Sequence, residues 1–469
     1  MKKTKIICSI GPASSPVEVM TKMVESGMNV ARINCSHATS EEKITVVQSV
    51  KEVRKITGKN VGILYDTKGP EFRSGMLEGD ELELVEGETI RLVKEEVLGN
   101  KERFSVNYPN ALDSLCVGKD VLLENGLMTL EVVSKENDGV TCVIKAGGIL
   151  GNKKSMSAPG VKLDIPFISE VDKEDILYGA THDGDFLALS FVSCKEDVLS
   201  VKKLLKENNC EGILLISKIE SQTGLDNLDE IVEVSDGIMV ARGDLGVEVP
   251  MAELPFAQQL MIDKCRKNEK IAIVATEMLE SMKKNIRPTR AEISDITAAV
   301  MGGTDAVMLS GETTTGNYPV ETVAAMANIC ETAERHYAYD MAEEANNSNK
   351  IRKAICGGAI YAAKSLDAKL IVTTSLKGTS TKAVSNLKPT CPVLAAVTKE
   401  EVAQKLALNY GVYPVIVKEY NSTDEIISDS VKVAKEFVEL QKEDIIVITG
   451  GFPNTSENKI TNFMKIEVI

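Results

Sequence analysis

The chain has 469 residues, 43% of them hydrophobic, and a formal net charge of −15 from 69 acidic and 54 basic side chains. At about 100–200 residues per domain this length predicts two to four domains, and the acidic balance argues against nucleic acid as a partner because it repels phosphate backbones. The ten cysteines form no CxxC pair, which argues against zinc ribbons and thioredoxin-type centres and fits a reducing, cytoplasmic compartment.

Taken in chain order, the N-terminal two-thirds repeats one theme: a short apolar strand, a polar turn, a helical pattern. The predicted strands are KIICSIG (5–11), MNVARIN (28–34), VGILYDT (61–67), FLALSFV (186–192), ILLISKI (213–219), GIMVARG (237–243), IAIVATE (271–277) and DAVMLSG (305–311). Segments such as PVEVMTKMVESG and EDVLSVKKLLKENN run between them, apolar at three- and four-residue spacing. Eight strands, each feeding a helix, is the count of a (β/α)8 TIM barrel, here expected over residues 1–68 and 169–338.

Residues 68–185 are too many for a βα loop. Within them ELELVEGETIRLV, DVLLENGLMTLEVV and GVTCVIKAGGIL alternate polar and apolar residues between Gly- and Asn-containing turns, which predicts an inserted all-β barrel domain at 69–168. An insert after a barrel strand lies at the mouth where barrel active sites sit, so a lid is expected. After Arg335 the polar YDMAEEANNSNK reads as a connection. Residues 345–469 then alternate helices with the strands KLIVTTS, VLAAVT, VYPVIV and DIIVITG, which predicts a C-terminal open α/β sheet domain. No run of about 20 apolar residues occurs, so no membrane span is expected.

Polar side chains at the carboxyl ends of barrel strands read as chemistry. Strand two ends with Arg32, Asn34 and Ser36 at two-residue steps, hence on one face. Strand three ends in Asp66 and Thr67, strand five in Lys218 and Glu220, and strand six runs into Asp244. Strands seven and eight bring Thr276 and Ser310. Glu220 and Asp244, from adjacent strands at matching depth, suit Mg²⁺, which takes few protein ligands and keeps its other positions for water and substrate; the plainer reading is helix caps or surface carboxylates. His37, His182 and His336 form no HExxH cluster, so any metal is expected to be a hard cation held by oxygen. Asn34, Ser36, Asp66 and Thr67 offer oxygens with one formal charge, as a monovalent cation prefers, although such residues are also ordinary turn formers. Arg32 and Arg73 add guanidinium groups that fork onto phosphate oxygens. Cations gathered at one mouth of an acidic protein point to an anionic, phosphorylated substrate. Neither GxxxxGK[ST] nor GxGxxG occurs. Phosphoryl transfer asks for positioning and charge neutralisation more than covalent chemistry, and these parts serve it.

Together TKIICSIGPASS, GMNVARINCSH, DTKGPEFRSG, ISKIES, SDGIMVARGDLGVEVP, VATEMLESM, RPTRAEISD and DAVMLSGETTTGNYP closely resemble the pyruvate kinase family, in that family's order from residue 4 to about 320. The resemblance implies transfer of phosphate from phosphoenolpyruvate to ADP, giving pyruvate and ATP, with Mg²⁺ (or Mn²⁺) and K⁺. It also implies a homotetramer, while composition and the lack of a long apolar run already predict a cytoplasmic chain that binds neither nucleic acid nor membrane. By the same resemblance Lys218 would stabilise the phosphoryl group in flight, Glu220 and Asp244 would hold Mg²⁺, and Asn34, Ser36, Asp66 and Thr67 would hold K⁺. Arg32, Lys218, Gly243, Asp244 and Thr276 would contact phosphoenolpyruvate. Asn34, Ser36, His37, Arg73 and Lys154 would lie at the nucleotide, and Thr276 and Ser310 where the enolate receives its proton through water.

The sequence also departs from the family pattern. Glu277 replaces a glutamine, and strand alternation predicts that it points away from Thr276. Cys35 and Ala38 replace an aromatic and a glycine, Ser193 an arginine or lysine, and Ser155 the glycine after Lys154; Lys101 and Glu102 lie near the position where the family decides K⁺ dependence. In the C-terminal domain TTSLKGTSTK, with Thr374, Ser375, Lys377, Gly378, Thr379 and Ser380, resembles a sugar-phosphate effector loop. Hydroxyls, a glycine and lysines before a helix make an anion cradle, and ordinary helix capping accounts for them equally. The later GGFPNTSENKITN lacks the family's Gly-rich pattern. Two competing readings are a Schiff-base lyase built on Lys218 and a non-catalytic sensor of phosphometabolites. The first needs a depressed lysine pKa, which Glu220 and Asp244 oppose; Glu277 and Ser193 are the argument for the second.

Overall fold

The computed structural model describes residues 1–336, 350–420, 422–451 and 461–469. The first eight apolar runs form β1 (Lys5–Ser9), β2 (Val30–Asn34), β3 (Gly62–Asp66), β4 (Phe186–Leu189), β5 (Leu214–Ile219), β6 (Gly237–Ala241), β7 (Ile271–Ala275) and β8 (Ala306–Leu309). They pair in parallel as one closed barrel, β8 returning to β1 with Lys5 opposite Ala306. Every residue of β1, β3, β6 and β7 is buried. That is why these strands read as continuous apolar runs: layered side chains fill the inside and helices cover the outside. Helix boundaries follow local chemistry. Thr39 and Glu42 close a capping box at the start of the helix Ser40–Thr57, and Gly58 ends it in the left-handed conformation.

The long segment between β3 and β4 folds around its own core, which includes Leu92, Phe104, Leu130 and Val140. Its strands make a six-stranded sheet and a separate two-stranded ladder, Glu81–Leu84 against Gly148–Gly151. Along Glu81–Leu84 exposed and buried residues alternate, as the sequence pattern predicts for a half-buried strand.

The C-terminal sheet has the order β11-β10-β9-β12-β13, from β9 (Leu370–Thr374), β10 (Val393–Val397), β11 (Val412–Ile416), β12 (Ile445–Gly450) and β13 (Phe463–Val468). The first four are the predicted strands. β13 was not foreseen; it runs antiparallel to β12 at the sheet edge, and partly buried and exposed residues alternate along it. Most of the predicted connection YDMAEEANNSNK, and residues 452–460 of the later loop, lie outside the described residues. This domain seals the floor of the barrel. Ala407 and Leu408 join the barrel's interior core with Ile7, Leu64 and Phe186. Lys388 Nζ donates to Asp305 at 2.6 Å and lies 4.6 Å above the Tyr410 ring, fully buried. Among the described residues no helix is long and apolar enough to cross a membrane, and all ten cysteines are free.

Candidate active site

The centre of the barrel mouth is a buried charge cluster. Lys218, near the end of β5, places Nζ 3.1 Å from Asp66 Oδ1, 3.2 Å from Glu220 Oε1 and 2.7 Å from Ser190 Oγ. Lysine and glutamate thus do share a face, as alternation requires. Arg32 on β2 is held by Asp66 Oδ2 through Nε at 2.7 Å and by Ser9 Oγ through Nη1 at 2.7 Å. Asp66 is therefore the common anchor of both cations. Burial opposes its charge, but Arg32 and Lys218 outweigh burial and hold its carboxyl below the ordinary range. Burial likewise opposes the Lys218 charge, and Asp66 and Glu220 together lift its ammonium above the usual value.

Glu220 sits one residue beyond β5 and is 2% exposed. Its Oε2 accepts a 2.6 Å bond from the Phe191 backbone N–H. Burial pushes its carboxyl up to about 8 against the pull of Lys218, and the nearby Asp244 charge adds to the rise. Asp244 does not share that depth. β6 ends at Ala241 and the chain turns at once into the helix Arg242–Glu248, so Asp244 is presented, exposed, from the helix's first turn. Both carboxylates nonetheless line one cavity of about 420 Å³ between the barrel mouth and the inserted domain. Two hard-oxygen donors, one buried with a like charge beside it, fit a divalent cation that keeps most of its shell for water and ligand. Among the described residues no group of three or more His, Cys, Asp or Glu could hold a metal, so such an ion would rest on these two carboxylates.

Asn34 and Asp66 face each other across β2 and β3. Ser36 does not continue the strand: β2 stops at Asn34, whose Oδ1 accepts from the Ser36 N–H at 3.1 Å, and the turn continues with His37 and Ala38 N–H on the Asn34 carbonyl. Ser36 is therefore offered by a turn beside Asn34, and His37 stays exposed near the rim. Thr67 is buried, with Oγ1 accepting from the Ser190 N–H at 3.2 Å. These four residues gather oxygens with a single carboxylate among them, a donor set that fits a monovalent cation.

On β7 the structure corrects the alternation argument. The strand ends at Ala275, and Thr276 (φ 70°) and Glu277 (φ 53°) follow in the left-handed region, uncommon for a β-branched residue. Arg242 stabilises this turn: its Nη2 donates to the Thr276 carbonyl at 2.6 Å, and its Nη1 lies 2.7 and 2.6 Å from the two Asp295 carboxylate oxygens. Thr276 Oγ1 in turn accepts the Gly243 N–H at 2.8 Å, joining the ends of β6 and β7. Glu277 is exposed, placed there by the turn rather than by strand alternation. Ser310 follows β8 as the residue before a one-turn helix, its N–H held by buried Glu312 at 2.7 Å.

From the inserted domain, Arg73 and Lys154 line the same cavity, each facing a carboxylate of its own: Arg73 forks onto Glu71 at 3.0 and 2.9 Å, and Lys154 reaches Glu124. Ser193, where the sequence pattern expects a cation, lines the cavity too and bonds Asp197 at 2.9 Å. In the C-terminal domain Thr374, Ser375, Gly378 and Ser380 are buried, while Lys377 and Thr379 are exposed. Gly378 takes φ 75° to start the helix Thr379–Asn386. Ser380 and Thr461 hydroxyls pair at 2.7 Å, so part of this loop's polarity is spent internally. Sequence reasoning missed Ser9 and Ser190. Both are polar residues at carboxyl ends of strands, β1 and β4, where the same criterion would have found them.

Comparison with known proteins decides the family. The family model "Pyruvate kinase, barrel domain" matches residues 1–323, and "Pyruvate kinase, alpha/beta domain" matches residues 353–467. The chain belongs to the pyruvate kinase family. A pyruvate kinase of Geobacillus stearothermophilus is 43% identical over 473 aligned positions, covering 100% of this chain and 80% of that one. A pyruvate kinase of Clostridium acetobutylicum is 42% identical, with 100% of both chains covered. Among solved structures, a pyruvate kinase from Cryptosporidium parvum superposes with a TM-score of 0.92 at 35% identity, covering 100% of this chain and 96% of that one. The chain is thus a phosphotransferase that moves the phosphoryl group of phosphoenolpyruvate to ADP, yielding pyruvate and ATP. Pyruvate kinases generally need Mg²⁺ and K⁺.

Proposed function

We propose that Lys218, Glu220 and Asp244 form the centre at which this pyruvate kinase transfers phosphate. The observation that carries the reading is the Lys218 ammonium 3.2 Å from Glu220, whose carboxylate lines one cavity with Asp244. Phosphoryl transfer needs charge neutralised along the transfer path, and a fixed ammonium beside two carboxylates supports both a cation and an anionic donor there. Glu220 and Asp244 would hold Mg²⁺ (or Mn²⁺), which supplies charge neutralisation and orientation of phosphate oxygens when bound. Asn34, Ser36, Asp66 and Thr67 would hold K⁺.

Arg32, anchored on Asp66, and the backbone at Gly243 and Asp244 orient phosphoenolpyruvate with Thr276. The Thr276 and Ser310 hydroxyls, which carry no formal charge and come just beyond the ends of β7 and β8, would hold the water that protonates the enolate. Arg73 and Lys154, with the rim residues Asn34, Ser36 and His37, receive the nucleotide, exchanging their own carboxylate partners for its phosphates. The loop Thr374–Ser380 binds a sugar phosphate, and the chain acts in the cytoplasm as a homotetramer. A Schiff-base role for Lys218 is disfavoured because its neighbours raise the ammonium's pKa.

The test is ATP formation from phosphoenolpyruvate and ADP by the purified chain. Turnover is expected with Mg²⁺, to rise on adding KCl, and to vanish with EDTA. ATP formation that persists in EDTA would overturn the metal assignment, and indifference to KCl the potassium site.

A further inference from the structure

Ser190 is buried immediately after β4, outside the residues to which any chemistry has been given above. Its hydroxyl touches three groups: the Thr67 carbonyl at 2.6 Å, Lys218 Nζ at 2.7 Å and Asp66 Oδ1 at 3.3 Å. A serine hydroxyl has one proton and two acceptor positions. Carbonyl and carboxylate only accept, and the much shorter approach gives the proton to the Thr67 carbonyl. Lys218, which only donates, must then point an N–H at a Ser190 lone pair. The Ser190 backbone N–H is also fixed, on Thr67 Oγ1 at 3.2 Å. The serine is therefore oriented from both ends by the end of β3. Its room is tight as well: a Cβ at Gly69 would come within 2.7 Å of Ser190 Cβ.

The Lys218 ammonium has three protons and three close acceptors, Ser190, Asp66 and Glu220. Two of the three are carboxyl oxygens, whose electrostatic attraction for it acts from any nearby position. Ser190 is the neutral one and the nearest, and a short hydrogen bond is directional where a Coulomb attraction is not. We infer that Ser190 is a positioning residue for the reaction: it fixes the direction of the Lys218 ammonium so that the charge stands where the phosphoryl group passes. This rests on the role proposed for Lys218. It assigns to Ser190 an effect on turnover rather than on binding, because a lysine still tethered by two carboxylates keeps its charge in the site but loses its aim.

The experiment measures kcat, KM for phosphoenolpyruvate and Tm for Ser190→Ala, Ser190→Thr and Lys218→Met. Ser190→Ala is expected to lower kcat about ten- to a hundredfold, the scale of a small misplacement of a reacting group, with KM and Tm close to wild type. Ser190→Thr keeps the hydroxyl and is expected to recover most of kcat; if its methyl group unfolds the chain against Gly69, Ser190→Cys replaces it and should fall between alanine and serine. A Ser190→Ala enzyme with wild-type kcat, a loss confined to KM, or a threonine (or cysteine) variant no better than alanine overturns the inference. Lys218→Met separates the two readings: normal turnover there defeats the lysine's role itself, whereas an inactive Lys218→Met beside a fully active Ser190→Ala defeats only the serine's.

Discussion

At the scale of single residues, charge at the barrel mouth is arranged in a chain: Arg32, Asp66, Lys218 and Glu220 are each within 3.2 Å of the next. A buried ion pair contributes little net stability once desolvation is counted, so the cluster is better explained by what it binds than by what it stabilises. Asp185 shows the cost of a buried carboxylate with weaker compensation. It accepts from the Ile63 N–H at 2.9 Å and meets Arg54 only at 3.4 Å. Burial raises its pKa to about 6, against about 4 in an unfolded chain. The folded state thus holds this proton more tightly, so its contribution to stability is full below about pH 4 and is lost as pH rises through about 6, by up to about 3 kcal/mol. The Tm of wild type relative to Asp185→Asn is therefore expected to fall as the pH is raised across that window; a difference that stays flat would show that Asp185 is not held protonated.

At the scale of elements, the eight barrel strands were legible because both faces of each are covered, which leaves an unbroken apolar run bounded by polar turns. Lys218 and Glu220 were legible for the same reason: two charges at the end of such a run have no structural motive. Legibility failed where the strand stopped earlier than its apolar pattern. Beyond Asn34, Ala241 and Ala275 the two-residue period no longer applies, so Ser36, Asp244 and Glu277 took their positions from a turn, a helix and a left-handed bend. The left-handed Thr276 leaves no trace in sequence, since it is imposed by Arg242, Asp295 and Gly243 from other elements. β13 escaped notice because it lies at the sheet edge with one partner, and its apolar Met464, Ile466 and Val468 face outward instead of being buried.

At the scale of the whole molecule, the inserted domain places Arg73 and Lys154 on the same cavity that Glu220 and Asp244 line from the barrel. The C-terminal domain is joined to the opposite end through Leu408 in the barrel core and the fully buried Lys388–Asp305 pair. Lys388→Met would leave Asp305 charged and unpaired, a loss of about 3–5 kcal/mol. A clear drop in Tm is expected, with partial recovery in Lys388→Met/Asp305→Leu; a single variant as stable as wild type would show that the pair does not hold the domains together. The central claim concerns the other end of the barrel, and the rate of ATP formation by Lys218→Met at saturating phosphoenolpyruvate, ADP, Mg²⁺ and K⁺ tests it most directly. A fall of about a thousandfold or more in a chain with wild-type circular dichroism and Tm is the expected result; turnover within tenfold of wild type would contradict it.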